Sequence, residues 1–118
     1  MAVTIRRVTT PKDGSGLEVW VWEGLGASET AQSVVCAGFP DKTVQLVGTF
    51  GGNVLIEGSN DPDGGVFTTL TDPQGNSLSA LAAAAIETVM EHSYLIRPRS
   101  GVGVSDVDVW LVMATGGR

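Results

Sequence analysis

Cysteine occurs once in this 118-residue chain, at Cys36, and histidine once, at His92. A lone cysteine has no internal partner, which excludes an intrachain disulfide and fits a reducing compartment. One of each also removes most Cys-His, Ser-His and zinc schemes. Cys36 lies in an apolar run, the setting of a buried, inert thiol. Charge is scarce at 17% of residues, and basic groups are the scarcer kind: 7 Lys and Arg against 13 Asp and Glu, for a net charge of −6. Nucleic-acid binders normally carry a basic face, because neutralising phosphates drives their affinity. No direct nucleic-acid partner is therefore expected. No apolar run approaches the ~20 residues that cross a bilayer, so no membrane partner is expected either. The first ten residues, MAVTIRRVTT, lack the apolar centre of a signal peptide. The expectation is a protein made in a cytoplasm, or in a particle assembled there.

Catalytic and ligand-binding patterns are equally thin. Gly51-Gly52 and Gly64-Gly65 sit between strand-like runs rather than before a helix, so neither cradles a phosphate. Asp61 and Asp63 precede Gly64 in the manner of a calcium loop, but the distal glutamate of such a loop is missing. An ordinary Asx turn explains them. An enzyme needs a constellation of groups, and none emerges. No catalytic activity, metal or cofactor is expected.

What the sequence has is glycine, sixteen of them, and short apolar runs. Hydrophobic residues make up 42%, enough to fill a core. Glycine-rich turns between short runs point to an all-β fold. Residues 17–23, LEVWVWE, alternate with period two: Leu17, Val19 and Val21 on one side, Glu18, Trp20 and Trp22 on the other. Residues 43–76 read as three strands joined by turns, with a tight hairpin at Gly51-Gly52-Asn53. Val107, Val109, Leu111 and Met113 share one face of the last strand, and Asp106, Asp108 and Trp110 the other. The expected fold is a single, jelly-roll-like β-sandwich over residues 17–118, with an extended N-terminal arm over residues 1–16.

Two stretches leave alternatives open. Residues 1–16 carry Ile5, Arg6 and Arg7 and end in Gly14-Ser15-Gly16. They read either as a frayed terminus or edge strand, or as an arm that docks on a neighbouring subunit by strand addition. Residues 78–90 hold four consecutive alanines, Ala82 to Ala85, and have high helix propensity. Thr88 and Val89 are β-branched, so the rival is at most one short helix near residues 79–86 followed by a strand from 87 to 91. Trp20 and Trp22 put much apolar area on one strand face. That face is either covered from within the domain or meets a partner. Arg97 and Arg99 share a face and either grip an acidic partner or pair with the domain's own carboxylates.

The run VGTFGGNVLIEGSNDPDGGVFTTLTDPQGNSL, residues 47–78, is followed at a distance by Tyr94-Leu95-Ile96-Arg97-Pro98. Together these resemble a group of small virion proteins of tailed bacteriophages, some of them head decoration (cement) proteins. The resemblance spans roughly residues 43–112 and is most specific at residues 56–61 and 69–76. It departs at the alanine run and at Val66-Phe67, where the look-alikes often carry an Asn-Trp pair. It implies a β-sandwich with a strand leading into the Tyr-x-Ile-Arg-Pro strand. It also implies a non-enzymatic structural protein on the capsid exterior of the virion, bound to the major capsid protein and forming a homo-oligomer, with a trimer favoured. The candidate capsid or subunit interface residues are Ile5, Arg6, Arg7, Trp20, Trp22, Arg97 and Arg99. The alternative is a tail- or fibre-associated sandwich that binds host-surface glycans, with Trp20, Trp22 or Trp110 stacked on sugar rings.

Overall fold

The structure is a computed structural model and describes residues 3–8 and 16–114. Nine strands follow in chain order: β1 (Thr4–Val8), β2 (Leu17–Leu25), β3 (Val34–Val35), β4 (Asp41–Thr49), β5 (Val54–Ser59), β6 (Thr68–Thr69), β7 (Ala85–Val89), β8 (Leu95–Ser100) and β9 (Asp106–Ala114). They form a five-stranded sheet, β1-β2-β9-β4-β7, and a four-stranded sheet, β3-β8-β5-β6. Every pairing is antiparallel. From β2 onward the chain crosses between sheets at each connection except β5 to β6, which makes β2–β9 an eight-stranded jelly roll. The expected all-β sandwich is what the chain forms.

Period-two alternation sets the core. Val44 and Leu46 of β4, and Val107, Val109, Leu111 and Met113 of β9, are fully buried on the inner face of the five-stranded sheet. Val54 and Ile56 of β5 and Ile96 of β8 meet them from the other sheet. On β2 the tryptophan face points inward, and Trp22 is buried. A bulge between Trp22 and Leu25, with Gly24 at φ +79°, lets Leu25 return to the core.

One local expectation is corrected, and one open alternative is decided. β4 and β5 do not form a hairpin: Gly51-Gly52-Asn53 is a corner at which the chain changes sheets. That corner lies backbone to backbone against the β8–β9 corner. A Cβ on Gly51 would sit 2.5 Å from the Gly103 carbonyl oxygen, and one on Gly103 2.5 Å from that of Gly51. Both have positive φ, so glycine is required twice over. The alanine run, in turn, forms no helix. Leu81 bridges Val54, and a strand begins at Ala85, two residues before the expected start. Pairing with β4 from Lys42↔Val89 to Leu46↔Ala85 makes Ala85 the start of a strand, and Ala82 to Ala84 form the short connection between the Leu81 bridge and β7.

Residues 4–8 of the expected arm lie on β2 as β1, in register from Thr4↔Glu23 to Val8↔Val19. They form an edge strand of the larger sheet. The remaining part of the arm that joins β1 to β2, residues 9–15, is outside the described residues, as are residues 115–118.

Candidate interaction surfaces

The candidate residues fall into three separate places. At the β1 edge, Ile5 faces inward and packs against the core. Arg6 and Arg7 are exposed and fold back over β2: Arg6 Nε lies 3.0 Å from Glu23 Oε1, and Arg7 Nε 3.0 Å from Glu18 Oε2. The hydrogen bond from Arg6 holds the Glu23 carboxyl below its ordinary range. Glu29 ties the start of this edge to the body, accepting from the Val3 amide at 3.3 Å and the Gly26 amide at 2.7 Å.

The tryptophans belong mostly to the interior. Trp22 is 1% exposed, and its indole N–H donates to the Gln32 carbonyl at 2.7 Å. It therefore presents no ring face to a partner or a sugar, which corrects its candidacy as an interface residue. Trp20 is half-buried against the core, with a buried Nε1 that has no acceptor among the described residues. It lines a groove of about 350 Å³ beside β1 together with Ile5, Glu18, Val34, Val35 and Phe39.

Arg97 and Arg99 lie on the outer face of the four-stranded sheet, and both pair with Glu57. Arg97 Nε is 3.1 Å from Oε1, and Arg99 Nε is 2.7 Å from Oε2. Register explains this: Glu57 is opposite Arg97, and Leu55 is opposite Arg99, so all three project from one face. Glu57 is buried between them, and the Arg97 guanidinium lies 3.6 Å from the Phe67 ring centroid. The cluster is a self-satisfied clamp, in keeping with pairing to the domain's own carboxylates.

Exposed apolar side chains also gather on the outer face of the five-stranded sheet. This face carries Val8, Val19, Val112, Thr43 and Thr88 in one cross-strand row, and Arg6, Val21, Trp110, Gln45 and Ile86 in the next. Val47 lies beyond them. Val21 is buried between Arg6 and Trp110, but Val112 and Val47 are exposed, and Ile86 is 64% exposed. Valines at alternating positions are visible in the sequence; that no second layer covers them among the described residues is not.

A groove of about 610 Å³ lies beside β6, lined by Asn60, Asp61, Thr68, Thr69, Glu91 and His92, among others. Its carboxylates are already engaged. Asp61 accepts from the Asp63 and Gly65 amides at 3.0 and 3.1 Å, an Asx turn. Glu91 accepts from the Thr71 amide at 2.9 Å and from the Thr71 hydroxyl. Cys36 is buried, and burial pushes its thiol up to about 12, far from a nucleophile's range. Among the described residues, no three His, Cys, Asp or Glu side chains gather as a metal site.

No family model matches the chain, and no curated protein matches it by sequence. Among solved structures, the chain is similar in fold to the SPBc2 prophage-derived protein YomS. The TM-score is 0.64 at 14% identity, over 90% of this chain and 96% of that one. A protein from Neisseria meningitidis aligns at TM-score 0.46 and 14% identity, over 94% of this chain and 82% of that one. A cupin domain from Bordetella pertussis aligns at 0.45 and 12%, over 95% and 92%.

Proposed function

We propose that this chain is a non-catalytic structural protein of a bacteriophage particle: a head decoration protein that binds the outer surface of the major capsid protein lattice and stabilises it. The observation that carries the reading is an apolar patch on the outer face of the five-stranded sheet, Val19, Val21, Trp110 and Val112 with exposed Ile86 beyond Gln45, which no second layer covers among the described residues. A sandwich needs its inner faces for its own core. A third apolar layer on the outside serves contact with something else. Two other lines support the reading. Residues 47–78 and 94–98 resemble small virion proteins, and the similar fold of YomS comes from a prophage-derived protein.

A rigid clip across neighbouring capsomers needs a stiff scaffold, a self-association surface and a grip on the lattice, and no active site. The clamp of Glu57 with Arg97 and Arg99 stiffens one sheet. The net charge of −6 discourages sticking to packaged DNA. The test is to label purified particles with antibody against this protein, and to compare the heat resistance of heads with and without it. Label on the head and weaker heads in its absence are expected. Label confined to the tail would sink the decoration role and favour the glycan reading, in which Trp110, half-buried on the outer face, is the remaining outward-facing tryptophan. A glycan array would then identify the ligand.

A further inference from the structure

We infer that copies of this chain join head to tail, with β1 of one copy adding in parallel to β7 of the next, so that the five-stranded sheet continues from copy to copy. The inference deepens the self-association expected of a virion protein, but it rests on the sheet alone and stands whether or not the partner is a capsid.

The five-stranded sheet ends in β1 on one side and β7 on the other. Among the described residues, no backbone hydrogen bond reaches residues 4–8 or 85–89 from the side away from their sheet partner. Both edges are therefore open templates for strand addition among the described residues, β7 as far as Met90, whose amide donates to the Thr71 carbonyl at 2.9 Å. Natural edges are usually blunted by proline, lysine, a bulge or a covering segment. β7, with sequence AIETV, has no proline, no lysine and no register shift. Exposed Ile86 and, just past its end, exposed Met90 flank it with apolar surface instead.

Charge decides which edges meet. β1 carries Arg6 and Arg7; β7 carries Glu87, which pairs with no cation among the described residues. A two-fold contact of β1 with β1 would bring guanidinium groups together, and one of β7 with β7 would bring Glu87 toward its own copy. Like charges across neighbouring strands destabilise the pair. The contact of β1 with β7 joins opposite signs. Its direction follows from topology: β1 and β7 are the first and fifth strands of an antiparallel sheet and run the same way, so same-face continuation makes them parallel.

The faces also match. Ile5 and Arg7 point inward on β1, opposite inward-facing Trp22 and Trp20; Ala85 and Glu87 point inward on β7, opposite Leu46 and Val44. One register places Ile5 beside Ala85 of the next copy and Arg7 beside its Glu87. The Arg7 side chain is 61% exposed and engages Glu18 through Nε, which leaves its terminal nitrogens for the neighbour's carboxylate. A head-to-tail contact closes into a ring when its rotation permits and otherwise runs on as a filament. A ring is the expected product, because the twist of the sheet rotates each copy against the last.

The test is light scattering across a concentration series, with circular dichroism to verify folding. The full chain should form a discrete oligomer. Arg7→Glu alone and Glu87→Arg alone should each weaken assembly several-fold, as one exposed charge pair turns repulsive, and the double reversal should restore it. A variant carrying Arg7→Cys and Glu87→Cys should form covalent oligomers on oxidation, which serves even where Arg7→Glu disturbs Glu18 and the fold. Monomer at every concentration, or assembly indifferent to Glu87→Arg, overturns the inference. Rings that ignore capsids would instead refute the virion reading and leave this one standing.

Discussion

The indole of Trp22, on β2, donates to the main-chain carbonyl of Gln32 at 2.7 Å, in the connection that carries the chain to the opposite sheet. One side chain thus fills the core and satisfies a backbone acceptor at the first crossing. Replacing Trp22 by Ala removes both contributions and is expected to cost about 3–5 kcal/mol. Trp22→Phe keeps much of the volume but loses the N–H, with a smaller cost that includes about 1 kcal/mol for the hydrogen bond. Urea unfolding of the two variants separates the effects. A Trp22→Phe loss as large as that of Trp22→Ala would place the cost in the N–H that both variants lack and not in the vacated volume.

The Glu57 clamp predicts an asymmetric mutational response. Glu57→Ala leaves two guanidinium groups side by side and is expected to cost about 1–3 kcal/mol. Arg99→Ala leaves Glu57 still paired to Arg97, and Arg99 is itself 43% exposed. Its cost should stay below about 1 kcal/mol. Chemical denaturation at low and high salt is the measurement, and an Arg99→Ala loss as large as that of Glu57→Ala would contradict the shared-carboxylate arrangement.

The two stacked corners predict a contrast among glycines. Gly51→Ala and Gly103→Ala must push one corner off the other and also hold a strained φ, so losses above about 2 kcal/mol are expected. Gly75 has φ +88° with nothing within 4 Å of a new Cβ. Gly75→Ala should cost only the backbone term, about 1 kcal/mol. Thermal unfolding of the three variants checks the order.

Acid should loosen the turn next to β6 and β7 before it melts the sandwich. The Asn76 amide leads the hydrogen bonds that hold the Asp72 carboxyl below its ordinary 3.8. For Glu91, burial works upward, but the two Thr71 hydrogen bonds outweigh it and the carboxyl lies below 4.5. A carboxyl lowered on folding contributes stability that is fully present above its unfolded value and is lost as pH falls through its folded one. Melting temperature should therefore hold down to about pH 5 and decline below it, in the range where unfolded carboxyls begin to take up protons. Asp72→Asn and Thr71→Val should flatten that decline, and an unchanged slope in both would assign it to other carboxyls.

Removing residues 1–8 bears on how the N-terminal segment should be understood. It uncovers the β2 edge and removes Ile5 from its place against the core. A stability loss of about 1–3 kcal/mol is expected, from the partly buried Val3 and Ile5 side chains and the β1 ladder. Hydrogen exchange at residues 17–23 measures it directly: faster exchange there fits an integral strand, and unchanged exchange a dispensable arm.

The sequence by itself determined what depends on neighbours along the chain. Alternation in residues 17–23 and 107–113 marked the strands, and for β9 it also separated the inner valines and Leu111 from Asp106, Asp108 and Trp110. The Asp61 turn and the buried thiol of Cys36 were legible for the same reason, since both follow from short-range chemistry. Tertiary structure decided whatever depended on a partner distant in sequence. The glycines at 51 and 52 suit a hairpin and a corner equally well; the pairing of β4 with β9 and β7 selected the corner. The alanines favour a helix in isolation, and the β4 ladder made the segment they lead into a strand. Arg97 and Arg99 meet Glu57 across 40 and 42 residues. The two open edges are set by sheet order, which no local pattern encodes, because period two tells which faces a strand has and not which strand stands beside it.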